Sequence, residues 1–137
     1  MRITLFSDGG ARGNPGPSAV GVVCYHNETM QFEVSKYIGE TTNNVAEYTA
    51  VIVGLERLSL FLTNTPGVQK ITWNLDSKLV VEQLSRRWKI KEHHLRELAE
   101  ACWQKLAALP IACSFYHVPR AENTRADALV NAALDAL

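Results

Sequence analysis

The chain has 137 residues, of which 47% are apolar and 20% charged, and its 14 basic side chains balance 14 acidic ones. That is the size and composition of a single globular domain, 1–137, with one buried core, and no apolar run approaches the ~20 residues of a membrane span. A formal net charge of zero excludes whole-surface attraction to a polyanion, so any nucleic-acid contact has to come from a local patch. The three cysteines, Cys24, Cys102 and Cys113, are odd in number and lack metal-ligand spacing, which leads us to expect reduced core thiols in a cytoplasmic protein. The start, Met1 to Asp8, is too short and too polar in its sequel for a signal peptide.

Arg2 to Asp8 alternates apolar Ile3 and Leu5 with polar Arg2 and Thr4, and reads as a central strand. In Gly9 to Pro17, crowded glycines and prolines forbid a helix and predict a long turn. The stretch fits neither a dinucleotide fingerprint, which needs glycine where Ala11 stands, nor a P-loop. It does offer backbone that can lie close against a ligand. Ala19 to His26 is a second strand, Asn27-Glu28-Thr29 a turn, and Met30 to Ile38 a third strand, antiparallel by their short spacing.

Thr41-Thr42-Asn43-Asn44 opens a helix, Val45 to Leu55, that is apolar on nearly every side and therefore buried. It closes at Asn64-Thr65-Pro66-Gly67. Glu47 is the one charge in its first three turns and has two readings. It completes a capping box with Asn44, or it is a carboxylate held in an apolar surface for its charge, which needs an offsetting partner.

Lys70 to Asn74 is a strand running into Leu75-Asp76-Ser77, and Ser77 to Ser85 is a short helix. Asp76 reads as an N-cap, or as a site residue at the strand end where α/β sheets gather their ligands. Arg86-Arg87-Trp88-Lys89-Ile90-Lys91 is the densest basic stretch: a solvated face, or a contact surface built around Trp88. Glu92 to Leu109 is a helix ended by Pro110, Ile111 to His117 a fifth strand, and Val118 to Thr124 a loop. In the last helix Ala126, Leu129, Val130, Ala133, Leu134 and Leu137 form an apolar stripe. Asp127, at the stripe's edge, complements the helix dipole or serves a site.

The order β-β-β-α-β-α-α-β-α predicts an α/β fold. Its mixed five-stranded sheet has three antiparallel strands, then two parallel ones reached through helices, with helices on both faces. A right-handed crossover sets the fourth strand beside the first. That topology draws Asp8, Glu47, Asp76 and Asp127 toward one end of the sheet. Four unpaired carboxylates at close range repel by several kcal/mol in a partly buried setting, and hard divalent cations resolve the conflict. Mg²⁺ and Mn²⁺ prefer such oxygens, two ions serve in-line phosphoryl displacement, and they turn an acidic pocket into a phosphate receptor.

Four stretches carry a resemblance: Asp8-Gly9-Gly10-x-x-Gly13-Asn14-Pro15-Gly16-Pro17, Thr42-Asn43-Asn44-x-Ala46-Glu47, Leu75-Asp76-Ser77, and His117-Val118-Pro119-Arg120-x-x-Asn123-x-x-Ala126-Asp127. Together, in order and spacing along the whole chain, they resemble type 1 ribonuclease H. The resemblance implies metal-dependent hydrolysis of the RNA strand of an RNA/DNA hybrid to 5′-phosphate and 3′-hydroxyl ends, with two Mg²⁺ or Mn²⁺ ions held by Asp8, Glu47, Asp76 and Asp127. It also implies contact with the hybrid's minor groove and its 2′-hydroxyls through Gly10, Ala11, Asn14, Asn43 and Asn44. Glu47 matches a position that accepts a 2′-hydroxyl, while Arg12, Asn14 and Thr42 are candidates for a DNA-strand phosphate.

The basic helix-and-loop handle of better-known bacterial members is reduced here to Arg86–Lys91, where Trp88 and Lys89 are the candidate contacts. His117 has the offset of the family's mobile loop histidine but stands at a strand end. Arg120 projects from the loop itself and is preferred for the scissile phosphate or leaving group. No N-terminal hybrid-binding domain, membrane contact or obligatory protein partner is expected, and a monomer is. The alternatives are a nuclease of the same fold acting on other duplexes or junctions, an inactive hybrid-binding module, and a purely structural domain.

Overall fold

The computed structural model describes all residues, Met1–Leu137. Its elements are β1 (Arg2–Ala11), β2 (Gly16–His26), β3 (Thr29–Thr41), α1 (Asn43–Thr63), β4 (Lys70–Leu75), α2 (Lys78–Leu84), α3 (His93–Ala107), β5 (Cys113–His117) and α4 (Thr124–Asp135), with a single 3₁₀ turn at Arg120–Glu122. The sheet order is β3-β2-β1-β4-β5; β1, β2 and β3 pair antiparallel, and β4 pairs parallel with both β1 and β5. This is the expected mixed sheet. The main core lies between the sheet and α1, α2 and α3, around Trp73, Tyr48, Leu55 and Leu58. A smaller cluster of Ala19, Val130 and Leu134 seats α4 on the other face. None of the helices is long and apolar enough to cross a membrane, and all three cysteines are free, Cys24 and Cys102 buried.

Three expectations need correcting. The long turn over Gly9–Pro17 shrinks to Arg12–Pro15, because Gly9, Gly10 and Ala11 continue β1 and pair with Val20, Ala19 and Ser18. Glycine weakens a strand through its backbone freedom, but at Gly9 a side chain is forbidden: a Cβ there would stand 2.1 Å from the Ala46 carbonyl oxygen. β3 likewise runs beyond Ile38 to Thr41, kept in register by a bulge opposite Ser18 and Ala19. Leu137 does not join the α4 stripe, since the helix stops at Asp135 and Leu137 is 68% exposed.

Alternation along β1 decides where the site forms. Ile3, Leu5 and Gly9 face α1, whereas Gly10 faces Val130 of α4. Asp8 therefore points to the α4 face. Its antiparallel partner is Gly21, where a Cβ would meet the Ala126 carbonyl at 2.3 Å. Two glycines, one for each face, thus let α1 approach β1 and α4 approach β2 closely enough to bring their own acids toward Asp8.

Candidate active site

β1 and β4 stop pairing at Phe6 and Asn74, so Asp8 and Asp76 stand just past the point where the two parallel strands part. Glu47 enters from the first turns of α1. Oxygens of Asp8, Glu47 and Asp76 lie within 4.8 Å of one another. Asp127, in the first turn of α4, lines the same open cleft of about 470 Å³ but falls outside that triad. It is held at its rim by Asn131, whose Nδ2 donates to Asp127 Oδ2 at 3.3 Å. The Arg120 guanidinium stands 3.9 Å from its other oxygen.

Both capping explanations give way. Thr42 is the N-cap of α1, its Oγ1 accepting from the backbone N–H of Val45 at 3.3 Å, so Asn44 and Glu47 form no capping box. Ser77 caps α2 by accepting from the N–H of Val80 at 3.3 Å, which leaves the Asp76 carboxylate free.

The electrostatics are those of crowded, dehydrated anions. Asp8 is 7% exposed, and burial, reinforced by the negative charges of Asp76 and Asp127 and opposed by a hydrogen bond with Glu47, pushes it up to about 7. Glu47, 8% exposed, is raised well above its ordinary range by burial first and by Asp8 second. Asp76 is raised by burial, against the opposing pull of Arg120 and Asn123. Glu47 Oε2 is buried with no hydrogen-bond partner, a costly state for a carboxylate oxygen. Three clustered carboxylates with an orphaned oxygen are a donor set that suits a hard divalent cation.

Gly10, Ala11, Arg12, Asn43 and Arg120 line the same cleft. The turn after β1 is stapled to the start of α1: the N–H of Ala11 donates to Asn43 Oδ1 at 2.9 Å, and the N–H of Asn43 to Asn14 Oδ1 at 3.0 Å. Asn44 is exposed beside them. Arg12 spans to α4, 2.6 Å from Asp135 and 3.2 Å from Asn131 Oδ1. His117 is the last residue of β5, in register with Leu75, and unlike Arg120 it does not line the cleft. Trp88 and Lys89 are exposed on the connection after α2 and do not line the cleft, with Lys78 Nζ 5.9 Å from the Trp88 ring.

Two polar residues received no role from the sequence, although Asn123 is among the positions that carry the resemblance. Asn131 sits one helical turn beyond Asp127, a spacing from which the contact was readable. Asn123 is 1% exposed. An asparagine before a helix reads as a cap, yet its side chain makes no capping bond.

The family model described as reverse transcriptase-like matches residues 6–133. A ribonuclease H of Desulforamulus reducens is 33% identical, over 96% of this chain and 86% of its own length. A bifunctional protein of Mycobacterium tuberculosis is 42% identical over 99% of this chain, which spans only 36% of that relative. Among solved structures, LC11-RNase H1 in complex with an RNA/DNA hybrid superposes with a TM-score of 0.89 at 43% identity, covering 98% of this chain and 97% of that one. The fold of the chain, with its central mixed sheet, is thus shared with that structure over nearly its full length. The chain belongs to the ribonuclease H family, in its type 1 branch.

Proposed function

We propose that the chain is a metal-dependent endonuclease that hydrolyses the RNA strand of RNA/DNA hybrids, leaving 5′-phosphate and 3′-hydroxyl ends. The observation that carries this reading is the triad of Asp8, Glu47 and Asp76, within 4.8 Å and with Glu47 Oε2 buried and unpartnered. The family membership and the hybrid bound by LC11-RNase H1 support the choice of substrate. Asp8, Glu47 and Asp76, with Asp127 at the rim, would hold two ions, Mg²⁺ or Mn²⁺. When bound, these supply the positive charge that activates a water and stabilises the departing 3′-oxygen.

The remaining roles belong to the chain itself. The backbone of Gly10 and Ala11, with Asn14, Asn43 and Asn44, forms a wall at one side of the cleft suited to a shallow minor groove and its 2′-hydroxyls. Glu47 would also accept one of those hydroxyls. Arg120 faces Asp127 across the cleft mouth, where its charge can meet the scissile phosphate. Arg12, Asn14 and Thr42 serve the DNA-strand backbone, and Trp88 with Lys89 extends that contact at a distance.

Strand-labelled RNA/DNA, RNA/RNA and DNA/DNA duplexes incubated with Mg²⁺ or Mn²⁺ test the proposal. Cleavage confined to the RNA of the hybrid is the expected result. Cutting of DNA duplexes or junctions would replace it with a broader nuclease, hybrid binding without cleavage would leave a binding module, and neither would sink it altogether.

A further inference from the structure

The parting of β1 and β4 leaves a gap in the sheet at the carboxylates, and one side chain fills it. The ladder ends at Phe6 and Asn74. One residue further on, the Ser7 carbonyl is met by Nδ2 of Asn123 at 2.9 Å, across 116 positions of sequence. The same amide stands beside the Asp76 carboxylate. The backbone carbonyl of Asn123 accepts from the N–H of Asp127 at 3.1 Å, which seats that acid in the first turn of α4. Asn123 thus holds the strand residue next to Asp8 and the backbone of Asp127, and its amide lies near enough to Asp76 to favour that carboxylate's charged form.

The environment makes this contact rigid. Asn123 is 1% exposed, and its Oδ1 is buried without a partner, an expense that a residue needed only to start a helix would not carry. The neighbouring N–H of Val118 closes on the Leu75 carbonyl at 2.9 Å, so the segment from β5 to α4 is pinned to both sides of the gap. Ser7 is held from its other end as well, its Oγ accepting from Trp73 Nε1 at 2.9 Å.

We propose that Asn123 is a positioning residue that sets the spacing between Asp8 and Asp76, and with it the capacity of the site to hold its ions. This rests on the metal-dependent reading above. Groups that orient metal-holding side chains in this way typically change metal affinity or activity by about 10–100-fold when removed. Asn123→Ala should therefore weaken Mn²⁺ binding, read by water proton relaxation without nucleic acid, by about 10-fold or more, and lower kcat on the hybrid by about 10–100-fold. KM for the hybrid should stay within about threefold, because the groove wall of Ala11, Asn14 and Asn43 is untouched.

A thermal melt separates this from mere structural support. A variant that melts lower but keeps wild-type Mn²⁺ affinity and kcat per folded molecule overturns the proposal. Asn123→Ser, smaller but still polar and too short to reach the Ser7 carbonyl, is read in the same three ways. It should show the same losses, and if Asn123→Ala fails to fold, wild-type values in a folded Ser variant are equally fatal. Should the wild-type chain not cleave the hybrid, the functional reading falls while Mn²⁺ affinity still judges the role of Asn123.

Discussion

Asp8 is costly to ionise in the folded protein. Its carboxyl is raised from 3.8 to about 7 in the folded protein, burial being the largest cause. A folded-state value above the unfolded one means the folded chain holds its proton more tightly. For this group, stability is highest below pH 3.8 and is lost as pH rises toward 7, to the extent of a few kcal/mol by linkage. Without divalent ions, Asp8→Asn should therefore raise the melting temperature at pH 7–8 by roughly 5 °C or more, while abolishing cleavage. A melt in a chelator checks this, and an unchanged or lower melting temperature contradicts the burial argument. Cation binding reverses the sign, since the ions need the ionised form. Mn²⁺ affinity should climb as pH passes through 7, with protons released on binding. Asp76→Asn removes a group whose capping duty is already met by Ser77 and whose carboxyl is likewise raised by burial, so turnover should vanish with no loss of melting temperature. Substantial residual turnover would count against a role for Asp76 in holding the ions.

At the scale of elements, the positions of the acids depend on glycine. Gly9→Ala would drive a Cβ against the Ala46 backbone and Gly21→Ala against that of Ala126. Neither obstacle is a side chain that can swing away. Each substitution should cost about 1–3 kcal/mol or more as overpacking, and each should also lower kcat, Gly9→Ala by displacing Glu47 and Gly21→Ala by displacing Asp127. Urea unfolding and steady-state kinetics measured together check the coupling. Loss of stability with kcat intact would show that the helices shift without carrying their acids.

These glycines also mark the limit of what the sequence disclosed. The order of elements and the convergence of Asp8, Glu47 and Asp76 were legible, because apolar periodicity and the place of Asp76 at a strand end are local signals. The run Gly9-Gly10-Ala11 was read as a turn because its strand character comes from α1 pressing on it, a contact local propensity does not contain. The Asn44–Glu47 capping box failed for a similar reason: Thr42, two residues earlier, offers the hydroxyl that takes the cap. Asn123 and its bond to Ser7 join residues 116 apart, beyond any reading of neighbours.

Over the whole molecule, a chain with no net charge would have to hold the proposed hybrid through ions bound at the carboxylates and through cations left uncommitted at the cleft's edge. The basic stretch after α2 supplies fewer of the latter than its composition suggests. Arg86 turns through a left-handed backbone, φ 61°, to lay its guanidinium 3.7 Å from the centre of the Trp103 ring. Arg87 grips Glu82 with two hydrogen bonds, 2.6 and 3.1 Å. Both arginines tie the connection down instead of presenting charge outward, while Trp88 and Lys89 remain exposed, with Lys78 near the Trp88 ring. Each phosphate contact contributes about 0.7–0.9 to the slope of log affinity against log salt. Lys89→Ala should therefore raise KM for the hybrid and flatten its salt dependence by up to about one such contact. Arg87→Ala should lower thermal stability slightly and leave the slope unchanged, because its partner is Glu82 and not a phosphate. KM measured across a salt series for both variants distinguishes them: equal flattening would mean that Arg87 lets go of Glu82 on binding, and no change in either would reduce the stretch to a solvated face.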